Sequence, residues 1–313
     1  MQKSEPTVHI LLASYQGAAY IAQQLDSIKA QSYPHWQLHV SDDGSTDETP
    51  RIVAEFAANC AQPVRFFSGP AKGVTHNFFH LMNTVAADNP GDLYAFCDQD
   101  DVWLSDKLCN AVAHHAAQSL APDRPYLYCS QTVIVNQQLV GSALTPAPRK
   151  PLGFGNALLQ NVASGNTMVF NLALLNTMRL ISPQHCVLHD WTAYQAVTGC
   201  GGVMHFSEQA GLLYRQHGAN LVGSNNGFVS RVRRLSFMFS DGYKNWSRQT
   251  MRAMQQIAPH LTAQSLAELH AFEAMHASSN PFHRLRLELN GTLWRQSRLG
   301  QASLAFALLL NLV

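Results

Sequence analysis

No run of this sequence is long and apolar enough to span a bilayer. The greasiest stretch, Ala302 to Val313, falls well short of the ~20 residues a spanning helix needs, which argues against a membrane span but leaves contact with a membrane surface open. The six cysteines, Cys60, Cys97, Cys109, Cys129, Cys186 and Cys200, stand singly with no Cys-x-x-Cys pair. That spacing argues against a zinc cluster and suits reduced thiols in a cytosolic core. Met1 to Thr7 is polar and leads straight into a strand-like run, so a secretory signal is not expected and the cytoplasm is the expected compartment. Internal repeats and low-complexity segments are missing as well. Charged residues make up only 13% of the 313, whereas hydrophobic residues reach 46%, enough for a sizeable core and too many for a disordered chain. Net charge is +1 overall but unevenly spread. Up to Gly227 there are 11 basic against 16 acidic residues, and after it 10 against 4, a net of −5 followed by +6. A tail of that sign suits phosphates, acidic polymer or anionic lipid, or is simply a solvated basic helix pair.

Short apolar runs then alternate with helical periodicity. Val8 to Ala13 reads as a buried strand, and Ala19 to Ala30 as a helix with Tyr20, Ile21, Leu25 and Ile28 on one face. Trp36 to Val40, Val64 to Phe67 and Leu93 to Cys97 are further strands, with a helix over about Thr75 to Ala87. Ser45-Thr46-Asp47-Glu48 has the form of a capping box ahead of Pro50. This rhythm predicts an α/β fold, a mostly parallel sheet with helices on both faces. The region 111–227 mixes strands (Tyr126 to Ser130, Val133 to Val135, Met168 to Phe170) with helices (Leu172 to Leu180, Trp191 to Val197). Pro146, Pro148 and Pro151 mark a loop expected to move over the site. From 228 to 313 the pattern is helical and basic, with Arg231, Arg233, Arg234, Lys244, Arg248 and Arg252 among apolar residues.

Ligands of such sheets sit beyond the carboxyl ends of the strands, which puts Ser14, Tyr15, Asp42, Asp43, Asp98, Asp100 and Asp101 in one region. In Asp98-Gln99-Asp100-Asp101 three carboxylates crowd together, a repulsion that a divalent cation relieves. Oxygen ligands favour Mg²⁺ or Mn²⁺. Alone, the run also reads as a solvated acidic turn capping the next helix, with Trp103 simply packing. Ser41-Asp42-Asp43-Gly44-Ser45 is a second acidic turn, suited to a pyrimidine N–H or a ribose hydroxyl, yet Asp-Gly turns are common.

Together Ala13-Ser14-Tyr15-Gln16-Gly17, Ser41 to Asp47 and Phe96-Cys97-Asp98-Gln99-Asp100-Asp101-Val102-Trp103 resemble the successive signatures of family 2 glycosyltransferases. The resemblance implies a GT-A fold over residues 1–227, with a nucleotide-binding half to 110 and an acceptor half beyond it. It also implies a nucleotide-diphospho-sugar donor, a divalent metal (Mn²⁺ or Mg²⁺) and inversion at the anomeric carbon. On this match Ser14, Tyr15, Asp42 and Asp43 hold the nucleotide, and Asp98 and Asp100 form the Asp-x-Asp element, with Asp100 the direct metal ligand. His189-Asp190-Trp191 lies where relatives carry a Glu-Asp pair, so Asp190 resembles the catalytic base; an N-cap on the following helix is its other reading. His217 in Tyr214-Arg215-Gln216-His217 resembles the histidine that completes the metal site, against an ordinary loop residue, and Arg215 is a candidate to face the diphosphate. Gly165 and Asn166, in a small-residue turn, are candidates for close approach to donor or acceptor. Asn77, in the first turn of a helix opened by Gly73, is a candidate wall of the nucleotide site.

The same runs look most like bacterial rhamnosyltransferases of surface polysaccharide synthesis, which places dTDP-rhamnose ahead of UDP-hexose or UDP-N-acetylhexosamine donors. The implied acceptor is a saccharide or lipid-linked saccharide, no nucleic acid is expected as partner, and the basic C-terminal region suits peripheral contact with the inner face of a membrane. A sugar-phosphate nucleotidyltransferase is the rival enzyme class, but Leu12 to Ala19 offers no Lys or Arg for a triphosphate. A carbohydrate-binding relative without turnover is the non-enzymatic rival.

Overall fold

The computed structural model describes residues 5–86, 89–217 and 242–310. Its centre is a seven-stranded sheet built from β1 (Val8–Ser14), β2 (Trp36–Asp42), β3 (Val64–Ser68), β4 (Leu93–Asp98), β6 (Tyr126–Ser130), β9 (Val169–Asn171) and β10 (Val203–Ser207). The strand order is β10-β6-β9-β4-β1-β2-β3. All neighbours run parallel except β9, which is antiparallel to both β4 and β6. A smaller sheet has the strand order β5 (Val102–Trp103), β11 (Leu212–Arg215), β7 (Val133–Val135) and β8 (Ala143–Leu144).

The alternation of β1 explains the layering. Val8, Ile10 and Leu12 face one hydrophobic cluster, shared with Ile21, Leu25 and Ile28 of α1 (Ile21–Lys29) and with Leu108 and Ala111 of α4 (Lys107–Ala117). Leu11 and Ala13 face the other, which holds Phe78, Phe79 and Met82 of α3 (Val74–Thr84), Leu174, Leu175 and Met178 of α6 (Leu172–Arg179), and Tyr194 and Val197 of α7 (His189–Gly199). Successive strand residues point to opposite faces, so a fully apolar strand is one covered on both sides.

The C-terminal helices α8 (Gly242–Gln256), α9 (Ala263–Ala277) and α11 (Arg298–Leu309) extend this second cluster, with α10 (Pro281–Leu289) between the last two in sequence. Met254, Ile257, Phe272, Met275 and Leu308 belong to it together with Phe154 and Tyr194. Arg231, Arg233 and Arg234 lie outside the described residues.

Two local expectations change. The capping-box residue Ser45 does not cap α2 (Thr49–Ala58), because its hydroxyl is bonded to Asp42 and to Gln16 N. Asp47 takes the task instead, accepting from Thr49 N and, with its other oxygen, from Ala18 N. The Pro146 to Pro151 loop is held rather than loose: Gln296 Oε1 accepts from Arg149 N and Lys150 N, and Trp294 Nε1 donates to Pro151 O.

Candidate functional site

The register sets Ser14 beside Asp42, Asp42 beside Ser68, and Ala13 beside Asp98. Strand ends carrying polar residues therefore form one edge. Here Asp42 folds its own turn: one oxygen accepts from Ser14 Oγ (2.9 Å) and Ser45 Oγ (2.6 Å), the other from Ser45 N (2.7 Å) and Gly44 N (3.3 Å). A carboxylate has about four acceptor positions, so Asp42 is fully engaged. Asp43 accepts a single bond per oxygen, from Ala71 N at 2.7 Å and Gly73 N at 2.6 Å, and keeps acceptor capacity on both.

Asn77 stands behind this edge instead of facing a ligand. It is 1% exposed, its Oδ1 accepts from Ser41 Oγ (2.5 Å) and its Nδ2 donates to Ser41 O (2.8 Å). The chain comes so close that a Cβ on Gly69 would lie 2.8 Å from Asn77 Oδ1 and 2.8 Å from Asp42 O. Gln99, which spacing alone does not single out, clamps the first loop: Tyr15 N donates to its Oε1 and its Nε2 donates to Tyr15 O, both at 2.9 Å. Tyr15 is left 57% exposed at the rim.

His217 and Asp100 meet, Nε2 to Oδ2, at 2.7 Å, with the His217 ring stacked on Tyr20. Asp98 is pushed up to about 8 by burial first, then by the charges of Asp100 and Asp190, with Lys107 opposing. Asp98, Asp100 and Asp190 thus share one electrostatic neighbourhood. Burial, followed by the charges of Asp100 and Asp98, also holds the Asp101 carboxyl well above its ordinary range, while bonds from Asn166 and Arg215 N favour its charged form.

Among the described residues no group of three acidic, His or Cys side chains is arranged to hold a metal. Asp100 and His217, one carboxylate and one imidazole 2.7 Å apart, are of a chemistry that fits a hard cation such as Mg²⁺ or Mn²⁺. Asp98, the other acid of the Asp-x-Asp element, lies in the same electrostatic neighbourhood as this pair.

Arg215 is corrected more sharply. It is 1% exposed; its Nε donates to Asp100 O (2.9 Å), its NH1 to Gln137 O (2.5 Å) and its NH2 to Gln23 Oε1 (2.5 Å), with the guanidinium 4.9 Å from the Tyr20 ring centre. It braces the acid loop from inside and does not face a diphosphate. Asn166 is equally interior at 1% exposure, donating to Asp101 Oδ2 (2.5 Å) and accepting from Ser164 Oγ (2.7 Å). Its carbonyl accepts from Lys107 Nζ (3.0 Å), an ammonium buried over the Trp103 ring at 4.3 Å. Sequence alone does not single out Lys107, the first residue of α4, as a buried cation.

Asp190 is the second residue of α7, not its N-cap, which is Leu188. Its Oδ2 accepts from Gly165 N at 3.1 Å and its Oδ1 from Trp191 N at 2.6 Å. Burial raises its carboxyl to about 6, while hydrogen bonds from Trp191, Gly165 and Asn161 limit the rise. A Cβ at position 165 would come within 2.8 Å of His189 Nε2 and 3.1 Å of Asp190 Cβ, so the close turn needs glycine. His189 lies between Phe78 (3.8 Å, stacked) and Phe96 (4.7 Å, edge-on), and burial depresses it to about 3, a neutral ring that leaves Asp190 the only ionisable group of the pair near neutrality.

Comparison with known proteins agrees with this geometry. Residues 9–155 match the Glycosyl transferase family 2 model. The chain is 27% identical over 250 residues to the dTDP-rhamnosyl transferase RfbG of Shigella flexneri, covering 74% of this chain and 81% of that protein. It is 29% identical over 171 residues to the Escherichia coli UDP-Glc:alpha-D-GlcNAc-diphosphoundecaprenol beta-1,3-glucosyltransferase WfgD, covering 54% and 62%. Among solved structures, S. aureus TarS 1–349 in complex with UDP-GlcNAc superposes with a TM-score of 0.57 at 16% identity, over 98% of this chain and 89% of that one. The Pyrobaculum calidifontis mannosyltransferase PcManGT in complex with GDP-Man and Mn²⁺ gives 0.53 at 17% identity, over 99% and 86%. Acid turns, strand ends and matched segment coincide at one sheet edge, and the chain is therefore a glycosyltransferase of GT-A fold, with residues 9–155 matching the family 2 model.

Proposed function

We propose that this protein catalyses inverting, metal-assisted transfer of rhamnose from dTDP-rhamnose to a saccharide hydroxyl in the synthesis of bacterial surface polysaccharide. The observation that carries the reading is the position of Asp190, held by Gly165 N on the acceptor half and within electrostatic range of Asp98 beside the metal pair. The name of the Shigella relative supports the donor. A UDP-hexose donor is the second reading, supported by the name of the Escherichia coli relative.

Inversion requires an acceptor hydroxyl to attack the anomeric carbon as the nucleoside diphosphate leaves from the opposite face. Asp190 takes the hydroxyl proton on a carboxylate oriented by two backbone N–H donors. With its carboxyl raised to about 6, Asp190 remains anionic at neutral pH and is a stronger base than an ordinary aspartate. Asp100 and His217 would hold the divalent metal, which when bound would supply Lewis-acid stabilisation of the leaving diphosphate. Asp43 accepts from the nucleotide with its free acceptor positions, and Tyr15 offers its exposed ring to the base. Ser14 and Asp42 keep the turn in shape behind them.

No helix among the described residues is long and apolar enough to cross a membrane. Leu299, Phe306 and Leu309 of α11, and Leu310 just past its end, are exposed, which with Arg298 supports peripheral contact with an anionic surface. A thermal-shift panel of nucleotide sugars with and without Mn²⁺ tests the donor, because a ligand that binds only the folded state raises Tm with its concentration. Mn²⁺-dependent stabilisation by dTDP-rhamnose is expected; stabilisation by UDP-sugars alone rejects the rhamnose reading.

A further inference from the structure

Lys107, the first residue of α4, is 3% exposed and too enclosed for a substrate to touch. An ammonium so placed is costly unless partners compensate for the water it has lost. Here Nζ donates to Asn166 O at 3.0 Å, lies 4.3 Å from the centre of the Trp103 ring, and is within electrostatic range of Asp101 and Asp98. Burial lowers the ammonium to about 8, with Cys97, Asp101 and Asp98 opposing the fall, so at neutral pH it is mostly protonated.

The carbonyl that Lys107 holds belongs to the turn Gly165–Thr167, and the same asparagine makes a second link. Asn166 Nδ2 donates to Asp101 Oδ2 at 2.5 Å, and the other Asp101 oxygen accepts from Arg215 N at 3.2 Å. Both residues are interior, Asn166 at 1% exposure and Asp101 at 0%. One position earlier, Gly165 N donates to Asp190 Oδ2 at 3.1 Å. On the other side, Asp101 follows Asp100, whose carboxylate meets His217. A continuous path therefore runs from Asp190 through Gly165, Asn166 and Asp101 to Asp100, with Lys107 fastened at its middle.

A carboxylate that removes a proton acts only within a narrow range of position and angle. Of the two backbone donors that orient Asp190, Trp191 N belongs to the base's own helix, whereas Gly165 N comes from a separate segment. That segment is placed by the two bonds of Asn166, one to the acid loop and one to Lys107. We propose that Lys107 is a positioning residue for glycosyl transfer: by holding the Asn166 carbonyl it sets the Gly165 N–H, and through it the Asp190 carboxylate, relative to the metal pair. The inference rests on the glycosyl-transfer reading above and adds to it a residue that acts without meeting either sugar.

Lys107→Met keeps most of the side-chain stem and removes the charge and the donor. In the full chain kcat should fall about tenfold to a hundredfold, the order that a small displacement of a reacting group costs, while donor Kd from titration stays within about twofold. The bond from Gly165 is one of those that limit the rise of Asp190, so the acid limb of the kcat/KM profile should move to higher pH. A general loss of stability would produce neither the split nor the move. Hydrogen exchange followed by mass spectrometry should quicken about tenfold or more in the segment 164–167 and stay native in β1 and β2. Removing one partner of a buried charge pair is itself destabilising, so Lys107→Met/Asp101→Asn, which removes both charges, supplies the control: Tm should return toward native and kcat should not. Native kcat with an unmoved limb in Lys107→Met overturns the proposal. So does recovery of kcat together with Tm in the double variant, or exchange that quickens equally over the whole chain. If no donor supports turnover yet the segment 164–167 alone loses protection, the transfer reading fails while the hold of Lys107 on the turn stands.

Discussion

Replacing Asp190 by Asn changes one oxygen to an amide nitrogen and leaves one acceptor for Gly165 N or Trp191 N. Transfer should slow by about 10² to 10⁴-fold, the range a positioned general base contributes, while donor affinity measured by titration stays within about twofold. The native pH profile should carry the same signature. With Asp190 near 6, kcat/KM should fall about tenfold per pH unit below that value, and the limb should vanish in the variant. Stability should move the other way. The Asp190 carboxyl is raised from 3.8 in the unfolded chain to about 6 in the folded one, so its contribution is fully present below 3.8 and lost as pH rises through about 6. At pH 7 the native protein holds this charge at a cost of up to about 3 kcal/mol, on ~1.4 kcal/mol per pKa unit, less where water still reaches the carboxyl. Asn avoids that cost, and Tm should rise by a few degrees. An Asp190→Asn protein that keeps more than about a tenth of native kcat, or loses both activity and Tm, refutes the assignment of the base.

Three further outcomes follow from the packing. Gly165→Ala forces a methyl to within 2.8 Å of His189 Nε2 and 3.1 Å of Asp190 Cβ, so kcat should drop at least about tenfold, with a Tm loss equivalent to ~1–3 kcal/mol for overpacking. Arg215→Ala removes three side-chain bonds from a residue 1% exposed and should cost about 3 kcal/mol or more, read as a lower urea midpoint. If Arg215 instead faced the diphosphate, stability would hold and donor affinity alone would fall. His39, lowered by burial and by the neighbouring His9 from 6.5 to about 4, contributes stability present above 6.5 and lost as pH falls through about 4. Calorimetric Tm should therefore decline across that window, and less steeply in His39→Leu.

The first hundred residues were legible because their structure is locally specified. β1, β2 and β4 are apolar runs ending in Ser14, Asp42 and Asp98, and each extends only one or two residues past its expected end. What escaped was decided by partners remote in sequence. Ser45 looked like a cap, but Asp42 and Gln16 N, the latter 29 residues away in sequence, hold its hydroxyl. Arg215 looked like a ligand because a solitary arginine near a phosphate site suggests one, whereas its guanidinium reaches Gln23, 192 residues earlier. The proline loop looked loose, and Gln296 pins it from 147 positions on. Asn77 and Asn166 were correctly located in the fold, yet an asparagine beside a site and one buried beneath it have the same letter. Side-chain burial separates them.

The reversed strand β9 has a consequence for how such chains diversify. Because it runs against its neighbours, its beginning lies at the edge where β4 finishes, so the Gly165 turn is delivered to the pocket from a segment sharing no loop with the nucleotide side. Substitutions that retune one partner sugar need not disturb recognition of the other. Chimeras joined between α4 and β6 of two relatives should inherit donor choice from one parent and acceptor choice from the second.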